Sequence, residues 1–175
     1  MTKELVVYAM ALILSAVCAF MDWKVHKIPN KWTFPGMWAG LLTNGIFWGG
    51  GGVINSILGI LAGFAFFVFF AAGVLKAGDV KFYMALGGIL GCQMNLKIMA
   101  ASVLLGGIEG IALMVIRRNG KKRLWSLWLY MKRLFLFRKW ERYEVMEKDG
   151  TFCFGICIAL GTLAVIVCQA AAGTR

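Results

Sequence analysis

Charge is missing from long stretches of this chain. Residues 5–21, 32–48, 53–75 and 151–173 hold no Asp, Glu, Lys or Arg, and 98–116 holds one, Glu109. Residues 82–96 are also uncharged, but that run is short and interrupted by Gln93 and Asn95. No polar stretch is long enough to fold as a soluble domain; the longest is 117–150. Histidine is nearly absent, with His26 alone, so a serine–histidine constellation has little to work with. The five cysteines (18, 92, 153, 157 and 168) form no Cys-x-x-Cys pair. That spacing implies neither a zinc site nor a disulfide framework, and no metal or other cofactor is expected. The first run is longer than the roughly 7–15 apolar residues of a signal peptide, and Val17, not a small residue, precedes Cys18. It reads as a retained span.

What is present is apolar surface. The chain is 61% hydrophobic with a mean hydropathy of +0.77, whereas soluble domains run closer to about half apolar. A spanning helix takes roughly 17–25 residues. The runs therefore predict an all-α polytopic membrane bundle of about six transmembrane helices, forming one domain over 1–175. Basic residues set its orientation. Alternate loops at 22–31, 76–81 and 117–150 carry three, two and eleven of them, sixteen of the chain's nineteen. The positive-inside rule then puts these loops in the cytoplasm and both termini outside.

The net charge of +11 lies beside the spans and is interleaved with tryptophan and leucine, above all in 117–150. This pattern predicts interfacial amphipathic helix on anionic lipid headgroups and argues against nucleic acid as a partner. Gly49 to Gly52 reads as a tight outer turn. The pairs Gly59/Gly63 and Gly87/Gly91 have the four-residue spacing that lets helix backbones approach in lipid.

Two carboxylates stand out against this background. Asp22 ends the first run and opens Asp22-Trp23-Lys24-Val25-His26-Lys27-Ile28-Pro29-Asn30; Asp79 lies in Lys76-Ala77-Gly78-Asp79-Val80-Lys81. A carboxylate at a membrane surface is costly enough that it usually has a job. The predicted topology puts both at the cytoplasmic ends of their helices. Two carboxylates sharing one proton can activate water and protonate a peptide carbonyl together, with no metal or nucleophilic side chain. Gly78 lets a substrate backbone approach Asp79, and Lys81 and Lys76 are placed to bias the proton or bind lipid phosphate. Pro29 forces Ile28 toward extended backbone and starts a new helix, where Asn30 can bond local backbone groups. His26 reads as a solvated or lipid-facing loop residue. Glu109 reads as paired with a polar group on another helix.

Asp22 with Ile28-Pro29-Asn30, followed by Ala77-Gly78-Asp79-Val80-Lys81, resembles the type IV prepilin peptidase family, polytopic aspartyl proteases of the GxGD class. The stretch 155–163 is similar to that family's final span. The first glycine of GxGD is replaced here by Lys76. The resemblance implies that Asp22 and Asp79 are catalytic and that the substrates are prepilin-like proteins, cut behind a basic leader at the cytoplasmic face of a prokaryotic cell membrane. Longer relatives carry an insertion with two Cys-x-x-Cys pairs between the first spans and also methylate the new N-terminus. With about ten residues there, this chain resembles the short Flp/Tad-pilus branch and is expected to lack methyltransferase activity. The alternatives are a small transporter or channel using Glu109, Asp22 and Asp79 as ion ligands, and a non-catalytic pilus-assembly factor with the same fold.

Overall fold

The computed structural model describes residues 2–71, 75–116 and 153–173. Within them lie six helices and no strand: α1 (Thr2–Val25), α2 (Asn30–Ala65), α3 (Phe67–Ala71), α4 (Ala77–Leu90), α5 (Cys92–Ile116) and α6 (Phe154–Gly173). The all-α membrane bundle read from the apolar runs is therefore what forms. The amphipathic segment expected over 117–150 lies outside the described residues. Four helical segments are long and apolar enough to cross a bilayer: α1, α2 continued through α3, α5 and α6.

The second of these is folded in two. Gly49 has φ 62° and ψ −146°, a backbone conformation that side-chain-bearing residues rarely adopt. Asn44 Nδ2 donates to Ser56 Oγ at 2.7 Å. Twelve residues along a straight helix would separate those positions by about 18 Å, so the chain reverses at Gly49. A β-carbon at Gly52 would collide with the Asn44 carbonyl, which shows how tight the reversal is. Of the about six passes expected, these four segments are the ones long and apolar enough to cross among the described residues. With 14 residues, α4 extends about 21 Å and falls short of the ~30 Å hydrocarbon core.

The apolar run at 82–96 does not form one helix. It breaks at Gly91 (φ 80°), so Gln93 and Asn95 belong to α5. Such a break leaves backbone groups without helical partners. Asparagines satisfy them. Asn44 Nδ2, from the first arm of α2, donates to the carbonyls of Gly88 and Ile89 at 3.1 and 2.9 Å. Asn55 Oδ1, from the second arm, accepts from Cys92 N–H at 3.1 Å. Asn95 Nδ2 closes the set on the Gly59 carbonyl at 3.0 Å.

The short α4 is the centre of the bundle. Phe82, Tyr83, Leu86 and Ile89 are buried together with Ala11 and Cys18 of α1, Ile98 of α5 and Ile158 of α6. Large apolar side chains such as Ile13, Ile46, Ile54, Leu104 and Ile111 face outward, as lipid contact requires. Both arms of α2 lie backbone to backbone on α4. Gly40 sits over Gly88 and Ile89, Gly59 over Gly87, and Gly63 over Tyr83 and Met84. The glycines at 59, 63 and 87 thus serve the close approach their spacing predicts, while Gly91 serves the break. Gly59→Ala would push a β-carbon into the Gly87 carbonyl and should cost about 1–3 kcal/mol. Gly50→Ala meets open space and is the control. Thermal unfolding in detergent should lower the midpoint for the first and leave the second near the parent; equal midpoints would refute this packing.

Candidate active site

Asp22 sits in the last turn of α1 and Asp79 in the first turn of α4, and each is 1% exposed. Each is held through one oxygen by a backbone N–H at the start of a helix. Asp79 Oδ2 accepts from Lys76 N–H at 3.0 Å, and Asp79 N–H returns a bond to the Lys76 carbonyl at 3.0 Å. The loop is thereby closed onto the first turn of α4. Asp22 Oδ2 accepts from Gly155 N–H at 2.9 Å, at the start of α6. First-turn N–H groups have no partner within their own helix, and the positive end of the helix dipole favours an anion there. Gly155 is required because a β-carbon would lie 2.8 Å from Asp22 Oδ2. The thiol of Cys153, just ahead of α6, donates to the Asp22 backbone carbonyl at 3.8 Å.

Lys76 joins the two aspartates. Its backbone N–H holds Asp79, and its ammonium lies 3.7 Å from Asp22 Oδ1. The Oδ1 atoms of both aspartates are buried, and neither accepts a hydrogen bond from the described residues. Asp79 lies outside the four spanning segments. Burial pushes its carboxyl up to about 6; the Lys76 N–H bond opposes that rise, the charge of Asp22 adds to it, and the Lys76 ammonium opposes it again.

The other motif residues interlock around this pair. Ile28 is buried and fills the space beside Gly78, where a β-carbon would come within 3.1 Å of Ile28 Cβ. Ile28 thus occupies the β-carbon side of Gly78. Pro29 is extended (φ −75°, ψ 141°) and starts α2 as predicted. Asn30 Oδ1 accepts from Lys81 Nζ at 2.9 Å, a bond across to α4 where local backbone bonding was expected. The two motifs are therefore clipped together twice, at Ile28–Gly78 and at Asn30–Lys81.

His26 is exposed, with φ 53°, and its Nδ1 lies 3.4 Å from Cys153 Sγ. Glu109 Oε2 accepts from the Cys157 thiol at 2.9 Å, joining α5 to α6; this is a polar partner on another helix. Among the described residues no group of three or more His, Cys, Asp or Glu is placed to hold a metal ion. Gly155 and Cys153 were not singled out as site residues from the sequence. What they offer Asp22 is a backbone N–H and a weak thiol donor, and neither has a spacing signature.

Residues 9–111 match the family model described as the type IV leader peptidase family. That segment contains both aspartates and both flanking motifs. The chain is 30% identical to a prepilin leader peptidase/N-methyltransferase of Aeromonas salmonicida strain A449, over 65% of this chain and 42% of that protein. It is 29% identical to the protein of the same name from Aeromonas hydrophila, with the same coverage. The chain thus spans less than half the length of these curated relatives. No solved structure matches it. With the family model covering more than half of its residues, the chain belongs to the type IV leader peptidase family.

Proposed function

We propose that this multi-pass membrane protein is an aspartic endopeptidase that removes the basic leader from prepilin-like proteins at the cytoplasmic face of the cell membrane, with Asp22 and Asp79 as the catalytic pair. One observation carries the reading. Two buried carboxylates, 57 positions apart in sequence, share Lys76, and the Oδ1 of each accepts no hydrogen bond from the described residues. In this mechanism the Asp22 carboxylate takes a proton from water as the water oxygen attacks the scissile carbonyl carbon. Asp79, protonated, gives its proton to the carbonyl oxygen. In the resulting gem-diol, Asp22 returns its proton to the amide nitrogen and Asp79 recovers one from a hydroxyl as the C–N bond breaks. Both carboxyls end as they began.

The orientation rests on the ends of the bundle. Lys24, Lys27, Lys31, Lys76 and Lys81 lie at the aspartate end. Lys3, bonded to the Phe47 carbonyl beside the α2 reversal, and Lys97, bonded to Gln169, mark the other. That asymmetry supports a cytoplasmic active site in the inner or plasma membrane of a prokaryote, and the same basic belt suits anionic lipid. Only residues 26–29 connect α1 to α2, which leaves no insertion between the first spans. This supports a peptidase without N-methyltransferase activity.

Mass spectrometry of a co-expressed prepilin should show the leader removed and the new N-terminus unmethylated. Asp22→Asn and Asp79→Asn should each lower kcat by about 10²–10⁴; full cleavage by either variant would dismiss the pair. Because Asp79 acts protonated, kcat/KM should fall as pH rises above about 6. The stability effect has the opposite sense to the usual carboxylate. The raised Asp79 contributes most below pH 4 and costs stability as pH rises from about 4 through 6. Asp79→Asn, which can still accept from Lys76 N–H, should therefore unfold several degrees higher than the parent at pH 7–8, with the gap closing toward pH 4. A constant gap across that range would mean that Asp79 is not the group titrating.

A further inference from the structure

We propose that Lys76 is a positioning residue for this reaction, its ammonium favouring the ionised carboxylate at Asp22 and so assigning Asp22 the part of base. The proposal rests on the peptidase reading above. Its geometry is particular to this chain. Lys76 occupies the N-cap of α4, with extended backbone (φ −83°, ψ 152°), a position where a short polar side chain is the usual choice. Its main chain is committed to Asp79 in both directions. Its side chain goes the other way, across to α1, and lies 3.7 Å from Asp22 Oδ1. One residue therefore contacts both carboxyls, the main chain holding one and the charge facing the other. This ammonium stands where the GxGD pattern has its first glycine, so the pattern does not account for it.

The surroundings leave this role to Lys76. Among the described residues at this end of the bundle, the other charged and titratable groups are Lys24 on α1, His26 and Lys27 after it, Lys31 at the start of α2, Asp79, Lys81 and Tyr83 on α4, Glu109 on α5, Cys153 before α6 and Cys157 on it. Lys81 is engaged by Asn30, Glu109 by the Cys157 thiol, and His26 and Cys153 contact each other. Gly155 N–H binds the second oxygen of Asp22. The one ion pair on Asp22 among the described residues is with Lys76. With its side chain 43% exposed, Lys76 sits at the mouth of the site. It can stabilise a negative charge there without closing the way to a peptide.

The assignment is tested with the full chain in detergent or liposomes, using the parent, Lys76→Met, Lys76→Arg and Lys76→Gly. Two readouts are taken: the pH profile of kcat/KM on a prepilin-like peptide, and labelling by a hydrophobic carbodiimide, which modifies protonated carboxyls. Loss of the charge in Lys76→Met should move the acid limb of the profile toward neutrality. It should also raise labelling of the Asp22 peptide several-fold at pH 6. Lys76→Arg should restore the parent profile. Lys76→Gly, the residue of the motif itself, should behave as the methionine variant does and covers the case in which methionine is not accommodated. A methionine or glycine variant that cuts with the parent's acid limb and parent labelling overturns this role alone. A parent chain that cuts no prepilin overturns the peptidase reading and this proposal with it.

Discussion

Everything at the candidate site depends on two backbone N–H groups, those of Lys76 and Gly155. Burying a carboxylate beside lipid is expensive unless something replaces water around it. Here each aspartate recovers part of that cost from a helix start, where an N–H has no partner of its own and the dipole is positive. The arrangement constrains geometry as much as energy. The last turn of α1 must meet the first turn of α6 at hydrogen-bond distance, and only a glycine at 155 lets it do so. Asp79 stays with its own helix, closed onto Lys76 by reciprocal bonds. The pair is thus assembled from three helix ends and stands or falls with their relative positions.

Those positions come from the glycine contacts between α2 and α4. Where backbones touch, a helix has little freedom to slide, because any shift brings a carbonyl onto a neighbouring Cα. Gly59 on Gly87 and Gly63 on Met84 set the depth of α4 against the second arm of α2, and Gly40 on Gly88 sets it against the first. Met84 is five residues from Asp79, about 7.5 Å along the helix, so that register reaches the carboxyl with little loss. At the far end α4 is stopped at Gly91, and Asn44 and Asn55 make the stop tolerable by bonding what it exposes. A helix too short to span is thereby held at the centre of the bundle.

How much of this was legible follows from what each feature looks like in sequence. Charge-free runs are unmistakable, so the all-α membrane bundle could be read directly. The two aspartates stood out because acid is scarce in this chain and because their neighbours formed recognisable motifs. Hydropathy could not see the break at Gly91: an apolar run reads the same whether one helix or two pass through it, and only the positive φ and the asparagines on α2 mark the stop. Gly78 was legible as a close approach, but its partner was not. Ile28 lies on its β-carbon side, 50 residues away in sequence. Asn30 was read as a local cap, yet its bond runs to Lys81, 51 residues away, which no local pattern reveals. Gly155 was the least visible, since what it contributes is main chain.

The motifs treat the two aspartates as equivalent, but their environments do not, and that asymmetry supports dividing the acid and base roles between them. Asp22 has the start of a second helix on one oxygen and an ammonium near the other; Asp79 has one N–H bond within its own helix and the charge of Asp22 nearby. On the proposed reading, a shared proton goes to the carboxyl with less to stabilise its anion, which is Asp79. On that reading, the same basic face that serves Asp22 repels a basic leader, so long-range attraction cannot bring such a substrate in. On the proposed reading, binding must come from the apolar segment that follows the cut, docked against the bundle. The distance from the lipid boundary to the aspartates then selects the peptide bond, and the depth of α4 sets that distance.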